Sequence, residues 1–267
     1  MLKSKLLSIL LLLASSLNTQ AEVLTHSKWD ALLKQHVVVI DNGTSTQVDY
    51  KGMLKDRVKL NHYLARLQNT TRSDFDSWSK QDQLAFLINA YNAWTVELIL
   101  GKYPDIKSIK DVGSFFSSPW KQDFIKLFGK NVSLDHIEHQ LIRSSDRYND
   151  PRIHFAVNCA SIGCPALGAN AYKGDTLEQQ LDNATKSFLR DRSRNRLIVD
   201  DLEISSIFKW YSEDFEKGWQ GANSLEEFLL LYADALALDK SAQKALLNKD
   251  IDIDYLDYDW RLNSKRP

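Results

Sequence analysis

Only 2 of the 267 residues are cysteine, which excludes a disulfide-dense scaffold and a zinc module built on four thiolates. Glycine (10) and proline (5) are scarce, so the chain is neither collagen-like nor a low-complexity segment. Charge of one sign is missing as well: Asp plus Glu (35) nearly balance Lys plus Arg (34). Without a basic excess, nucleic acid is not an expected partner. No glycine-rich phosphate loop and no Gly-x-Ser-x-Gly elbow occurs. Beyond the first twenty residues, no apolar run approaches the length of a membrane span.

What is present begins with a leader. Lys3 and Lys5 precede an apolar run, Leu6 to Ala14, broken only by Ser8, and a polar stretch then ends at Ala21. That layout predicts a secretory signal peptide over 1–21. The run is well short of the roughly 20 residues of a transmembrane anchor. Cleavage after Ala21 removes two lysines and no acid, which moves the formal charge from −1 to −3 and leaves 246 residues. The mature chain, 22–267, is expected outside the cytoplasm, periplasmic or secreted, where a disulfide persists.

No repeat and no linker divides the mature chain, so a single α+β domain, mostly α, is expected. Trp29 opens an amphipathic helix that runs into Val37–Ile40, and Asp41-Asn42-Gly43 is a turn signal. Val58, Leu60, Tyr63, Leu64 and Leu67 form a helical stripe. Ser79 to Leu100, apolar around nearly its whole circumference and stopped by Gly101, is expected as the central buried helix. Asn89 and Asn92 share one face of it, and buried amides need partners. Ser133 caps a further helix, and Asp175-Thr176-Leu177-Glu178 reads as a capping box for a helix through Leu189. Ile153–Val157 reads as a short buried strand. Residues 197–204 read as a hairpin, and Ser224 as the cap of another helix.

The chemistry-bearing segment is 150–165, Asp-Pro-Arg-Ile-His-Phe-Ala-Val-Asn-Cys-Ala-Ser-Ile-Gly-Cys-Pro. Three readings of its cysteines stay open. Cys159 and Cys164 close a small loop as a disulfide. Alternatively one of them is a thiolate nucleophile with a histidine base. The third reading is a redox pair, weakened by four intervening residues where the usual motif has two. His136, His139 and Asp135 share a helical face, but neither a metalloprotease order nor zinc-ribbon spacing is present, so no metal and no other cofactor is expected. Asp252, Asp254, Asp257 and Asp259 lack the glycine and glutamate of a calcium loop. Of the seven tryptophans, Trp29, Trp78 and Trp94 sit among apolar neighbours and read as core rather than as a sugar platform.

Several motifs in this order, Gln83 to Ala93, Ser108 to Asp111, Leu134 to His139, Asp150 to Ala156 with Cys159-Ala160-Ser161 and Cys164-Pro165, and Tyr255 to Asn263, resemble the domain-of-unknown-function 547 family. The resemblance extends from about Asp49 to Asn263 and implies a fold without a reaction. Its motif positions here are Asn89, Asn92, Glu138, His139, His154, Cys159, Ser161 and Cys164. Members without an export signal keep such cysteines reduced, which implies a functional thiol. Two functions follow as expectations. One is a thiol-dependent hydrolase or transferase, with Cys159 as nucleophile, His154 or His139 as base, Glu138 or Asn158 as orienting group, and Asn89, Asn92 and Ser161 as polar contacts. The other is a non-catalytic module with a structural disulfide, binding an unidentified extracytoplasmic ligand or protein.

Overall fold

The computed structural model describes residues 22–113, 118–144, 147–199 and 201–265, and the expected leader over 1–21 lies outside them. Helix α1 (Ser27–His36) buries Trp29, Leu32, Leu33 and His36, then gives way to strand β1 (Val37–Ile40). The helix stops before Val37–Ile40 rather than running into it, because four β-branched residues in a row favour extended backbone. Asp41, Asn42 and Gly43 all take positive φ and turn the chain back into β2 (Ser45–Val48), paired antiparallel to β1. Helices α2 (Tyr50–Lys55), α3 (Arg57–Asn69) and α4 (Arg72–Ser77) follow. In α3 the expected stripe holds for Leu60, Tyr63, Leu64 and Leu67. Val58 departs from it at 66% exposure, since two positions from Leu60 is more than half a helical turn away.

Helix α5 (Lys80–Leu100) is the central buried helix, and Ser79 caps it by accepting from the Asp82 N–H. Strands β3 (Ile125–Leu127) and β4 (Lys130–Val132) make a second hairpin. Ser133 accepts from the His136 N–H at 3.1 Å, as a cap should, but the helix it opens (His136–Arg143) is π-wound. The Ser144 N–H reaches the His139 carbonyl five residues back at 2.9 Å. Residues 151–155 correct the sequence reading. They form a 3₁₀ turn, Pro151–Phe155, and not a strand. Asp150 accepts from the Arg152 N–H, and Pro151 fills the first position, where its missing N–H costs nothing. A short apolar run buried on all sides carries no period that separates strand from helix.

Helix α6 (Leu177–Arg190) starts at the expected place without a capping box, because Thr176 bonds Asp175 and Gln180 instead. Strands β5 (Arg196–Ile198) and β6 (Asp201–Ser205) form the expected hairpin, with Asp200 outside the described residues. Helices α7 (Ile207–Trp210), α8 (Ser212–Phe215), α9 (Leu225–Leu231, capped by Ser224), α10 (Ala233–Leu236) and α11 (Lys240–Asn248) lead to β7 (Asp252–Leu256), which joins β6 in parallel. The chain is α+β and mostly α.

Among the described residues the core has two apolar clusters. One surrounds α5 with residues of α1, α2 and α3, and the other stacks Phe188, Phe208, Phe215 and Phe228. The 3₁₀ turn joins them: Ile153 and Ala156 belong to the first, whereas Phe155 inserts among the phenylalanines of the second. His154, between these anchors, is held at the junction.

Candidate functional site

A cleft of about 230 Å³ opens at that junction. Tyr91 of α5 and Val157 come from the first cluster and Ile207 from the second. The π-helix contributes Asp135, Glu138 and His139, the 3₁₀ turn contributes His154, and the loop after it contributes Cys159, Cys164 and Pro165. Aromatic side chains form much of the remainder: Trp120, Trp210, Tyr211, Tyr258 and Trp260.

The π winding explains how Glu138 and His139 both reach the cleft although they are neighbours. More residues per turn mean a smaller angle between successive side chains, and π segments recur at functional sites. Glu138 is buried and accepts from the Tyr211 hydroxyl at 2.8 Å. Burial pushes the Tyr91 and Tyr211 hydroxyls well above the ordinary tyrosine range, and the Glu138 carboxylate adds to both shifts, so each stays a donor. Arg143 donates to His139 Nδ1 at 2.5 Å. A guanidinium has no acceptor, so Nδ1 is the accepting atom of this contact, and His139 Nε2 lies 3.6 Å from Asp135.

Behind His139 is a charged network. Asp214 Oδ2 accepts from His154 Nε2 at 2.8 Å and from Arg143 Nε at 2.5 Å, and its Oδ1 accepts from Lys217 at 2.7 Å. Burial alone would raise the Asp214 carboxyl, but these three donors outweigh it and hold it well below the usual range. Burial lowers His154 despite the pull of Asp214. The His154 ring stacks on Tyr211 with 4.0 Å between centroids.

Cys159 and Cys164 are bonded at 2.04 Å, and no free cysteine occurs among the described residues. Neither sulfur is a thiolate in this state. Their polar neighbour is the Tyr258 hydroxyl, 3.2 Å from Cys159 and 3.1 Å from Cys164, rather than an imidazole. Gly163 sets that approach. A Cβ there would lie 3.0 Å from the Tyr258 ring and from the Asp259 nitrogen, and the Gly163 N–H bonds the Asp259 carbonyl.

Of the residues expected from sequence, Cys159, Cys164, His154, His139 and Glu138 therefore converge. Asn89, Asn92, Asn158 and Ser161 do not line the cleft. Asn89 bonds the Tyr172 backbone N–H and carbonyl, and Asn92 bonds the Ala156 carbonyl and the Asn158 N–H at 2.9 and 2.8 Å. Asn158 bonds the Pro165 carbonyl and the Ala160 N–H. Ser161 pairs by its backbone with Leu262, and its hydroxyl is buried without a partner. Asn92 and Asn158 hold the loop that carries the cysteines, while Asn89 ties α5 to the chain at Tyr172. Asn92→Ala, which orphans one buried donor and one acceptor, is expected to cost about 2 kcal/mol in urea unfolding and to speed hydrogen exchange at the Asn158 amide.

Sequence reasoning missed Arg143, Tyr211, Asp214, Tyr258 and the exposed tryptophan face. Arg143, four residues after His139, was the one local signal. Trp29, Trp78 and Trp94 are core, as expected, while Trp120, Trp210 and Trp260 form the aromatic wall. Among the described residues no group of three His, Cys, Asp or Glu is placed to hold a metal ion, and no helix is long and apolar enough to cross a membrane.

No curated protein and no solved structure matches the chain. The family model described as "Protein of unknown function, DUF547" matches residues 75–189, a shorter stretch than Asp49 to Asn263. It takes in Tyr91, Glu138, His139, His154 and both cysteines, and leaves Trp210, Tyr211, Asp214, Tyr258 and Trp260 outside. Over those residues, less than half of the chain, it is similar to the DUF547 family of proteins of unknown function.

Proposed function

We propose that the chain is an exported, single-domain binding module whose cleft takes a small organic ammonium group. Export rests on the Lys3/Lys5 head, the Leu6–Ala14 run and the small residue at Ala21. The observation that carries the binding reading is the lining: six aromatic side chains with two carboxylates, Asp135 and Glu138, and no lysine or arginine among the described residues that form it. Such a wall attracts a cation twice, through ring faces and through charge. Burial disfavours the charged form of His154, and the Arg143 guanidinium, which lies over the Tyr211 ring, is paired with Asp214. At the rim an ammonium already sits on one of these rings, with Lys110 Nζ 3.7 Å above Trp260. The volume is below the roughly 300–1,000 Å³ of drug-sized sites, which suits a small ligand or one head group of a larger one.

A thiol-dependent hydrolase or transferase fits less well, because Cys159 is bonded to Cys164 and neither histidine is hydrogen-bonded to it. The test is tryptophan fluorescence during titration with primary amines, quaternary ammonium salts and neutral monosaccharides. The ammonium compounds are expected to give a saturable change that Trp210→Ala abolishes and Glu138→Gln weakens about tenfold, through loss of one nearby opposite charge. Saturation by the sugars alone, or no saturation, would overturn the reading.

A further inference from the structure

We propose that the Cys159–Cys164 bond in the cleft wall exchanges with thiols that also carry an ammonium group. The charge preference rests on the binding reading above, whereas the exchange rests on separate observations. The two sulfurs are not equivalent. Cys159 is partly exposed, while Cys164 is 4% exposed, so an incoming thiolate reaches Cys159 Sγ first. Cys164 Sγ receives the Cys159 backbone N–H at 2.9 Å, and the Tyr258 hydroxyl lies 3.1 Å from it and 3.2 Å from Cys159 Sγ, so the backbone N–H is what sets the two sulfurs apart. Cys164 is therefore the sulfur on which negative charge is best stabilised. Exchange is fastest when the accessible sulfur is attacked and the departing thiolate is stabilised. Both conditions are met by the same pair in the same orientation.

In the step, the external thiolate forms a bond to Cys159 Sγ while the Cys159–Cys164 bond breaks. The electron pair departs on Cys164 Sγ, where the Cys159 N–H and the Tyr258 hydroxyl receive it. A second molecule of the thiol then attacks the external sulfur of the mixed disulfide and releases Cys159 as a thiolate. Two external thiols are oxidised to one disulfide and the protein disulfide is reduced to two thiols, which take up the two protons the external thiols lose. Tyr258 stays protonated throughout, because burial raises its hydroxyl well above the ordinary range. Asp135 and Glu138 give the entrance its charge preference, since both line the same cleft as Cys159.

The experiment uses the folded, oxidised protein with cysteamine and, separately, the anionic thiol mercaptoethanesulfonate at equal thiolate concentration. Samples are quenched in acid, alkylated with N-ethylmaleimide and mapped by mass spectrometry. The expected result is a mixed disulfide on Cys159 with alkylation on Cys164, formed about tenfold faster with cysteamine. That ratio is expected to fall toward one at high salt, as screening requires. Tyr258→Phe, which keeps the ring against Gly163, is expected to slow the reaction about tenfold through loss of one hydrogen bond to the departing thiolate. A mixed disulfide on Cys164, equal rates for the two thiols at low salt, or a bond that yields only when the protein unfolds would each overturn the proposal. The amine titration above contains no thiol, so a failure of exchange and a failure of ammonium binding are read separately.

Discussion

Asp214→Ala is expected to destabilise the fold by about 3–5 kcal/mol, the usual cost of removing one partner from a buried ion pair. Asp214 is a buried carboxylate that accepts from His154, Arg143 and Lys217. Its loss leaves the Arg143 guanidinium, 20% exposed, without a counter-charge, and the His154 Nε2–H without an acceptor. Asp214→Asn keeps an acceptor of the same shape and is expected to cost less. Urea unfolding at pH 7 measures both. The linkage has a definite sign. The Asp214 carboxyl is held below its unfolded value, so its contribution is complete above about pH 4 and is lost only as the solution becomes more acidic. A wild-type-like stability in Asp214→Ala would show that the network is not what orders this end of the cleft.

The second large effect is a pH dependence set by His26, far from the cleft in sequence. His26 is buried, its Nδ1 lies 2.6 Å from the Tyr63 hydroxyl, and burial, with the nearby Arg66 charge, lowers it to about 4. The unfolded chain takes up this proton below about pH 6.5 and the folded protein only below about 4. Stability is therefore full above pH 6.5 and declines as the pH falls through that window. Between pH 7 and pH 4.5 the single group accounts for a loss of about 2–3 kcal/mol. His154, lowered in the same direction, adds to the decline. Denaturation curves at the two pH values should show the drop in the wild type and a drop smaller by about 2–3 kcal/mol in His26→Gln. An equal drop in both proteins would place the proton uptake elsewhere.

How much of this was legible differs from element to element. Helix α5 was readable because its apolar run has no internal breaker, Ser79 caps it and Gly101 stops it. The β5–β6 hairpin and the Ser224 cap were readable for the same local reasons. The 3₁₀ turn was not, since five buried residues in a row carry no period, and Asp150 with Pro151 decides the conformation. The π winding of His136–Arg143 depends on what packs around it, and no local pattern records it. Asn89 and Asn92 announced that buried amides need partners, but the partners lie 83 and 64 residues away. The His154–Asp214 pair spans 60 residues and Tyr258 stands 94 from Cys164, separations that no local pattern records. The aromatic wall was hidden by the same distance, because Trp120, Trp210 and Trp260 meet only once β7 has paired with β6.

The central claim is that aromatic faces and the Glu138 carboxylate make this cleft a cation site. Calorimetric titration of the protein with choline, beside choline's uncharged carbon isostere, tests that claim most directly. The two compounds share a shape and differ in charge, so shape alone cannot separate them. The account predicts saturable binding of choline, binding of the isostere at least about tenfold weaker, and a difference that narrows in Glu138→Gln. Equal affinity for the two compounds, or a preference for choline that is unchanged in Glu138→Gln, would contradict it.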